Sequence, residues 1–238
     1  EIKKEPYAYI GSIYSNTEIN EALKVKNSGG NPYEVVPSVD EIGHGTKMAG
    51  IIGARGYNGE MEGVAKDCDF IVVKLLPSPN YQKILRENNL PIVPAYNSTE
   101  VLAGIEFIRS MAKSLNRPLV IYMGVGTNDG SHDGYSITAE YITSITTKSG
   151  VVFVAGTGNQ GNNKGHASNY IKNQGEFDTV ELYMSKDMKQ FTLFIWVQKP
   201  NRMLLSLIAP TGEETGYFTN QISAKSRSEE RRVGKECR

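Results

Sequence analysis

Cysteine is scarce in this chain, with two among 238 residues: Cys68 beside a predicted strand and Cys237 next to the last residue. A structural disulfide between them is not expected, and the redox compartment stays open. Net charge is also lacking, because 26 Lys and Arg residues balance 26 Asp and Glu residues. A neutral chain has no overall positive charge to attract a phosphate backbone, which argues against nucleic acid as a partner.

Long hydrophobic runs are missing as well. No apolar stretch approaches the roughly 18 residues that a membrane-spanning helix needs, so we predict no membrane segment. No signal peptide opens the chain, but this says nothing about secretion if the sequence is part of a longer protein. At 39% hydrophobic content the chain can still bury a core, as one large domain and a smaller one.

The most informative segment covers residues 40–53, where Gly43 and Gly45 flank His44. The glycines let backbone or substrate approach the imidazole, and histidine is the side chain best suited to proton exchange near neutral pH. The residues that follow predict a helix beginning at the histidine, whose buried face carries Met48, Ala49, Ile51 and Ile52. The segment alone fits a general base and a histidine that only caps or packs the helix equally well.

A second segment, residues 151–161, ends in a turn rich in glycine. Its β-branched and aromatic run at 151–155 predicts a strand buried on both faces. The turn presents Asn159, whose amide can donate a hydrogen bond to an oxyanion, a contribution of roughly 3 to 4 kcal/mol in enzymes where it has been removed.

Together the two segments resemble the subtilisin-like serine proteases, in which the histidine of a G-H-G-T motif is the general base. The resemblance implies that Asn159 lines the oxyanion hole beside His44. Residues 63–76 and 119–128 are similar to further family segments in the same order, although Tyr122 and Gly124 replace the usual asparagine and serine. By the same resemblance the substrate-binding residues are Gly124, Val125 and Gly126 on one side and Gly156, Thr157 and Gly158 on the other.

Two parts of the family's triad are not found in the sequence. The only aspartate before His44 is Asp40, four residues away, and none of the three Gly-Thr pairs continues into the family's G-T-S-x-A motif. We therefore expect a piece of a serine endopeptidase, truncated at both ends and inactive by itself, since the mechanism needs all three groups. The alternative is a catalytically dead relative that binds or regulates.

Further expectations come from the resemblance alone. It implies a peptide or protein substrate and an extracellular, cell-surface or spore-associated location. It implies no cofactor; the family often carries calcium, but no oxygen-ligand loop is recognisable here.

The order of predicted elements indicates an α/β fold with a parallel sheet and helices on both faces. We predict helices from a capping box at 15–18, at 98–115 and at 135–147, and strands at 70–76, 119–123 and 151–155. Closely spaced strand-like runs at 177–184, 190–197 and 203–209 then resemble the partial antiparallel β-sandwich, or jelly roll, inserted in a clostridial, germination-protease branch of the family. The predicted domains are 1–172 and 173–225, followed by a disordered tail, 226–238, that resembles sequence appended in cloning.

Two other readings compete for the glycine-rich loops. Residues 156–161 match the G-x-G-x-x-G pattern of a Rossmann-type oxidoreductase, but the residues that follow lack the helical period that a dinucleotide site requires. His132 with Asp133, and His166, each lie alone in a glycine-rich loop without paired ligand spacing. We predict no metal site.

Overall fold

The computed structural model describes residues 11–57, 60–184 and 193–218. The chain divides into two compact units between Tyr170 and Ile171, and each unit is described by itself. The predicted tail at 226–238 lies outside the described residues. Within the described ranges, no helix has the length and apolar character needed to cross a membrane.

The first unit opens with the predicted short helix, α1, Asn16–Asn27. Its capping box is formed: the Ser15 amide donates to the Glu18 carboxylate at 2.6 Å, and the Glu18 amide donates to the Ser15 hydroxyl at 3.4 Å. Ala22 is the buried residue of this helix. A short 3₁₀ helix, Pro32–Glu34, follows and is capped by the side chain of Asn31.

Helix α2, His44–Gly53, begins at the predicted histidine. Its predicted buried face is only partly correct, because Met48 and Ala49 are half-buried whereas Ile51 is 54% exposed. The segment that folds back on α2 packs against the last residue of the helix instead. A Cβ added at Gly53 would lie 2.7 Å from the Phe70 ring.

Three short elements after α2 were not predicted. Strands β1, Arg55–Tyr57, and β2, Glu60–Glu62, pair in antiparallel fashion. Helix α3, Pro79–Glu87, is capped by the Ser78 hydroxyl and has proline in its first turn.

The centre of the first unit is a parallel pair of strands, each preceded by a helix. In chain order these are α4, Ser98–Ser114; β3, Leu119–Met123; α5, Ile137–Thr146; and β4, Val151–Ala155. The register runs from Leu119 opposite Val151 to Met123 opposite Ala155. All four elements agree with the predictions to within two residues at each end, although Leu115, predicted to face the core, is exposed just beyond α4.

The third predicted strand, at 70–76, is wrong: this segment forms no strand and pairs with no described strand. Other contacts place it. Lys74 donates a hydrogen bond to the carbonyl of Val39 at 2.5 Å, and a Cβ at Gly104 of α4 would lie 3.0 Å from Val73. The segment therefore lies against α4 and the loop before α2 without joining the sheet.

Helices α4 and α5 pack on one face of the sheet. The buried core consists of Ile105 from α4, Ile121 from β3 and Ile145 from α5. Successive side chains of a strand point to opposite faces, so the alternate residues form the other face. Val120 and Val152 on that face are 67% and 54% exposed. The expectation of a β4 buried on both faces is therefore wrong for the described residues. On this second face α2 contacts Tyr122 of β3 through Met48, but no described helix covers Val120 or Val152. The expectation of helices on both faces is thus correct only in part.

The second unit contains one antiparallel hairpin among its described residues. Leu205 and Phe218 exchange both backbone hydrogen bonds, at 3.0 and 2.7 Å. The chain reverses near Gly212, whose φ of +86° favours glycine. The predicted strand at 177–184 is absent, and the predicted run at 190–197 falls partly on residues that are not described. Phe177 and Tyr183 are almost fully exposed, so no facing strand covers them.

Candidate active site

His44 is presented by a loop that the carboxylate of Asp40 organises. One carboxylate oxygen accepts hydrogen bonds from the amides of Ile42 at 3.2 Å and Gly43 at 2.7 Å. The other accepts from the amide of Thr46 at 3.0 Å and from its hydroxyl at 2.6 Å. Gly43 occupies the N-cap position of α2 with a φ of +80° and has no side chain to cap the helix. Asp40 supplies the acceptor that the first turn needs.

The same hydrogen bonds control the ionisation of Asp40. The Thr46 hydroxyl, then the Gly43 amide, hold the pKa of Asp40 well below its usual range. A negative charge therefore persists at the amino-terminal end of α2, where it interacts favourably with the helix dipole. The sequence excluded Asp40 as the triad acid by its position, and this capping role was missed. An aspartate three residues before an N-cap glycine was the available signal.

The other end of α2 is held by the backbone of residues 63–65. The amide of Ala65 donates to the carbonyl of Ile52 at 2.7 Å. A Cβ at Gly63 would lie 2.5 Å from the amide nitrogen of Gly53, so the close approach requires glycine. The helix that carries His44 is thus fixed at both termini.

The carboxyl ends of β3 and β4 bring two predicted substrate-binding segments to the same edge. Met123 lies opposite Ala155, so Gly124 and Gly156 leave the sheet side by side. A Cβ at Gly124 would lie 3.2 Å from Cε1 of His44. The structure therefore brings the predicted general base directly against the predicted substrate-pairing segment.

The Tyr122 side chain also lies next to Gly124. A Cβ at Gly124 would lie 3.1 Å from Cε1 and 3.4 Å from the hydroxyl oxygen of Tyr122. The hydroxyl donates a hydrogen bond to the sulfur of Met48 in α2 at 3.3 Å. Tyr122 was recognised in the sequence only as a replacement, and no local pattern could have shown that its side chain reaches α2.

The other predicted substrate-binding residues remain accessible. Val125 is half-buried, while Gly126, Gly156 and Thr157 are exposed. A Cβ at Gly126 or Gly156 would meet no atom within 4 Å. Open backbone at a strand end can pair with an extended peptide through main-chain hydrogen bonds.

Asn159 lies in the turn that follows β4 and is exposed. Gly158 has a φ of +84°, and the backbone amide of Asn159 donates a hydrogen bond to the side-chain oxygen of Gln160 at 3.2 Å. Asn159 follows β4, whose carboxyl end lies beside that of β3. Gly124, which follows β3, is the predicted substrate-binding residue that lies next to His44. Within the described part of the chain no helix follows β4, so the glycines of this turn lack the helix that a dinucleotide site requires.

Two histidines that the sequence treats as solitary are neighbours. The rings of His132 and His166 stack with centroids 5.8 Å apart, and Nε2 of His132 lies 3.0 Å from the carbonyl oxygen of Asn128. The expectation that each lies alone is therefore wrong. No group of three or more metal-ligating side chains occurs within the described residues.

The arrangement as a whole suits acid–base chemistry on a peptide. An exposed imidazole, fixed by its helix, lies beside open strand backbone that can hold an extended chain. A base held in this way can accept a proton from a nucleophile and return it to a leaving group.

Comparison with known proteins shows the family of the chain. Residues 11–184 match the model of the subtilase family. Among solved structures, the chain is similar to the CspB protease of Clostridium perfringens, with 27% sequence identity and a TM-score of 0.65. The match covers 90% of this chain and 42% of that one, so the chain spans less than half the length of this relative. No curated protein matches. Because the family model matches residues 11–184, which is most of the chain, the chain belongs to the subtilase family.

Proposed function

We propose that this chain is the histidine-bearing part of a serine endopeptidase, with the triad aspartate and serine supplied by sequence outside these 238 residues. The observation that carries the proposal is the closeness of His44 to Gly124 at the carboxyl end of β3, where an added Cβ would lie 3.2 Å from Cε1 of the imidazole. It puts a general base next to the backbone that would pair with a peptide. A histidine that merely capped its helix would not need that neighbour.

In the proposed mechanism His44 takes the proton from the serine as the hydroxyl attacks the peptide carbonyl. The protonated imidazole then donates that proton to the leaving amine. Asn159 donates a hydrogen bond to the tetrahedral oxyanion. The peptide is held between Gly124, Val125 and Gly126 on one side and Gly156, Thr157 and Gly158 on the other.

The remaining parts of the proposal follow from family membership. The substrate is a peptide or protein, and the protein acts outside the cell, at its surface or on the spore. No cofactor takes part in the chemistry. The second unit belongs to a β-sandwich insertion, of which the hairpin at 205–218 is the supporting observation.

The first test uses the 238-residue chain as it is. A fluorophosphonate probe, which phosphonylates the activated serine of serine hydrolases with loss of fluoride, is expected to leave it unlabelled because no triad can assemble. Covalent labelling at any serine of the chain would contradict the proposal.

The second test uses a longer gene product that contains the chain together with a G-T-S-x-A motif. There the probe is expected to label the serine, and His44→Ala is expected to abolish labelling. Asn159→Leu is expected to lower kcat by about 100- to 1,000-fold with little change in KM, the size seen for loss of one oxyanion donor. His132→Ala and His166→Ala are matched controls that keep full activity. A longer protein that binds peptide without turnover would instead identify a pseudoprotease.

A further inference from the structure

One point in space links three residues of the site. The position of the missing Cβ at Gly124 lies within 3.4 Å of both the Tyr122 phenol and the His44 imidazole. The backbone of Gly124 does not lie in the left-handed region, so conformational freedom does not account for glycine there. What accounts for it is the space that the two rings occupy.

Gly126, two residues further along, provides the contrast. It also lies outside the left-handed region, but a Cβ there would meet no atom within 4 Å. The restriction at Gly124 is therefore specific to its neighbours and does not extend along the segment.

The Tyr122 side chain also connects β3 to the helix of the histidine. Its hydroxyl donates to the sulfur of Met48, which lies four residues after His44 in α2. Residues four apart share one face of a helix, so His44 and Met48 face the same way. The phenol thus contacts Met48 on the same face of α2 that carries His44. Its ring also lies near Gly124, as the imidazole does.

We propose that Tyr122 is a positioning residue for His44. Its ring forms the wall beside the imidazole, and its hydrogen bond to Met48 fixes the spacing between α2 and β3. Gly124 lacks a side chain because Tyr122 takes the room that one would fill, so a large residue at 122 and the smallest at 124 form a coupled pair. The consequence for catalysis rests on the proposed function, whereas the coupling itself does not.

The first experiment observes the imidazole directly by NMR in the 238-residue chain. The chain has three histidines, so His132 and His166 serve as internal references. Tyr122→Leu is expected to shift and broaden the His44 ring signals while the other two stay in place. Tyr122→Phe keeps the ring and is expected to cause a smaller shift. Unchanged His44 signals in Tyr122→Leu would overturn the proposal.

The second experiment tests the coupling by a double-mutant cycle. Gly124→Ser is expected to lower the folding equilibrium constant about fivefold, near the lower end of the range for inserting atoms where none fit, because the site is exposed. In a Tyr122→Asn background the same change is expected to cost at least threefold less, and Gly126→Ser is the control with little effect. Equal costs in both backgrounds would refute the coupling. If the serine variant does not fold, Gly124→Ala gives the same comparison with one added carbon.

Neither readout depends on proteolysis. If residues 122 and 124 prove coupled but the longer protein does not hydrolyse peptides, the proposed function is refuted and the coupling stands. If the longer protein is an active peptidase but the His44 ring signals do not respond to changes at residue 122, only the positioning role of Tyr122 is refuted.

Discussion

The carboxylate of Asp40 binds Thr46 twice, through the backbone amide at 3.0 Å and through the hydroxyl at 2.6 Å. The two residues lie on either side of His44 in the sequence, so the pair closes a ring of backbone around the histidine. The position of the imidazole therefore depends on a side chain that has no proposed part in the chemical steps.

Removing the charge of Asp40 is expected to loosen this ring. Asp40→Asn keeps one oxygen acceptor but cannot satisfy both Thr46 and the amides of Ile42 and Gly43. We expect a lower Tm and faster hydrogen exchange at the Gly43 and Thr46 amides, measured by NMR. Glu41→Gln removes a neighbouring exposed carboxylate and is the control. Equal exchange rates in the two variants would show that Asp40 does not hold the loop.

The pH dependence of this contribution has a definite sign. Because the pKa of Asp40 is depressed in the folded chain, its stabilisation is complete above the unfolded value, about 3.9, and is lost as the pH falls through the folded value. The stability difference between the parent chain and Asp40→Asn is therefore expected to be constant from pH 7 to pH 5 and to shrink only below about pH 4. Urea denaturation across this range measures it. A difference that already shrank near pH 6 would implicate another group.

The backbone at Gly43 is expected to resist substitution. Its φ of +80° costs a residue with a Cβ about 1 to 2 kcal/mol, so Gly43→Ala should lower the free energy of unfolding by that amount. Gly50 also has open space around it but lies inside α2, where alanine should instead stabilise by up to about 1 kcal/mol. Chemical denaturation of both variants checks the opposite signs.

Neighbouring residues of β3 differ in burial because one face of the sheet is packed against α4 and α5 and the other is largely exposed. Ile121 is 4% exposed in the core, so Ile121→Ala is expected to cost about 2 to 5 kcal/mol. Val120 faces solvent, and Val120→Ala should cost no more than about 1 kcal/mol. Similar losses for the two variants, measured by denaturant unfolding, would mean that the second face is covered in solution.

A polar contact joins α4 to α5. The Tyr141 hydroxyl donates to the Glu106 carboxylate at 2.6 Å, and Arg109 binds the same carboxylate through two nitrogens. Tyr141→Phe is expected to cost about 0.5 to 1.5 kcal/mol in unfolding experiments. Tyr135→Phe, at an exposed position, is the control.

The same contact predicts an unusual titration. Burial, reinforced by the hydrogen bond to Glu106, raises the pKa of Tyr141 to about 12. The contribution of the neutral Tyr141 phenol to the free energy of unfolding is therefore complete below the ordinary tyrosine pKa, about 10. It is lost as the pH rises through the pKa in the folded chain, about 12. Glu106→Gln should lower the midpoint in an absorbance titration, since the adjacent negative charge disfavours the phenolate. A midpoint unmoved by this change would leave burial as the sole cause.

Much of the local structure could be predicted because its determinants are neighbours in the sequence. The capping box at Ser15 and Glu18 places the start of α1, and the glycines around His44 place the start of α2. The apolar periods of α4 and α5 likewise gave their core residues, with Ile105 and Ile145 buried as expected. Helix α3 carried a comparable signal, a serine before a first-turn proline, and was overlooked.

Pairing between distant segments could not be predicted in the same way. The run at 70–76 has the composition of a buried strand, yet its partners are the Val39 carbonyl and α4. An apolar run does not specify which neighbour covers it, because burial depends on contacts far away in the sequence. The same reason explains the exposed second face of the sheet and the missing strand at 177–184.

The sequence by itself determined the family, the helix that starts at His44, the two paired strands and the turn that carries Asn159, since each is written in a short run of residues. Only the tertiary structure decided that Asp40 closes the loop around the histidine, that Tyr122 spans from β3 to Met48, and that a Cβ at Gly124 would lie against both rings. Those relations depend on how side chains share space once the chain has folded, and no local pattern records that.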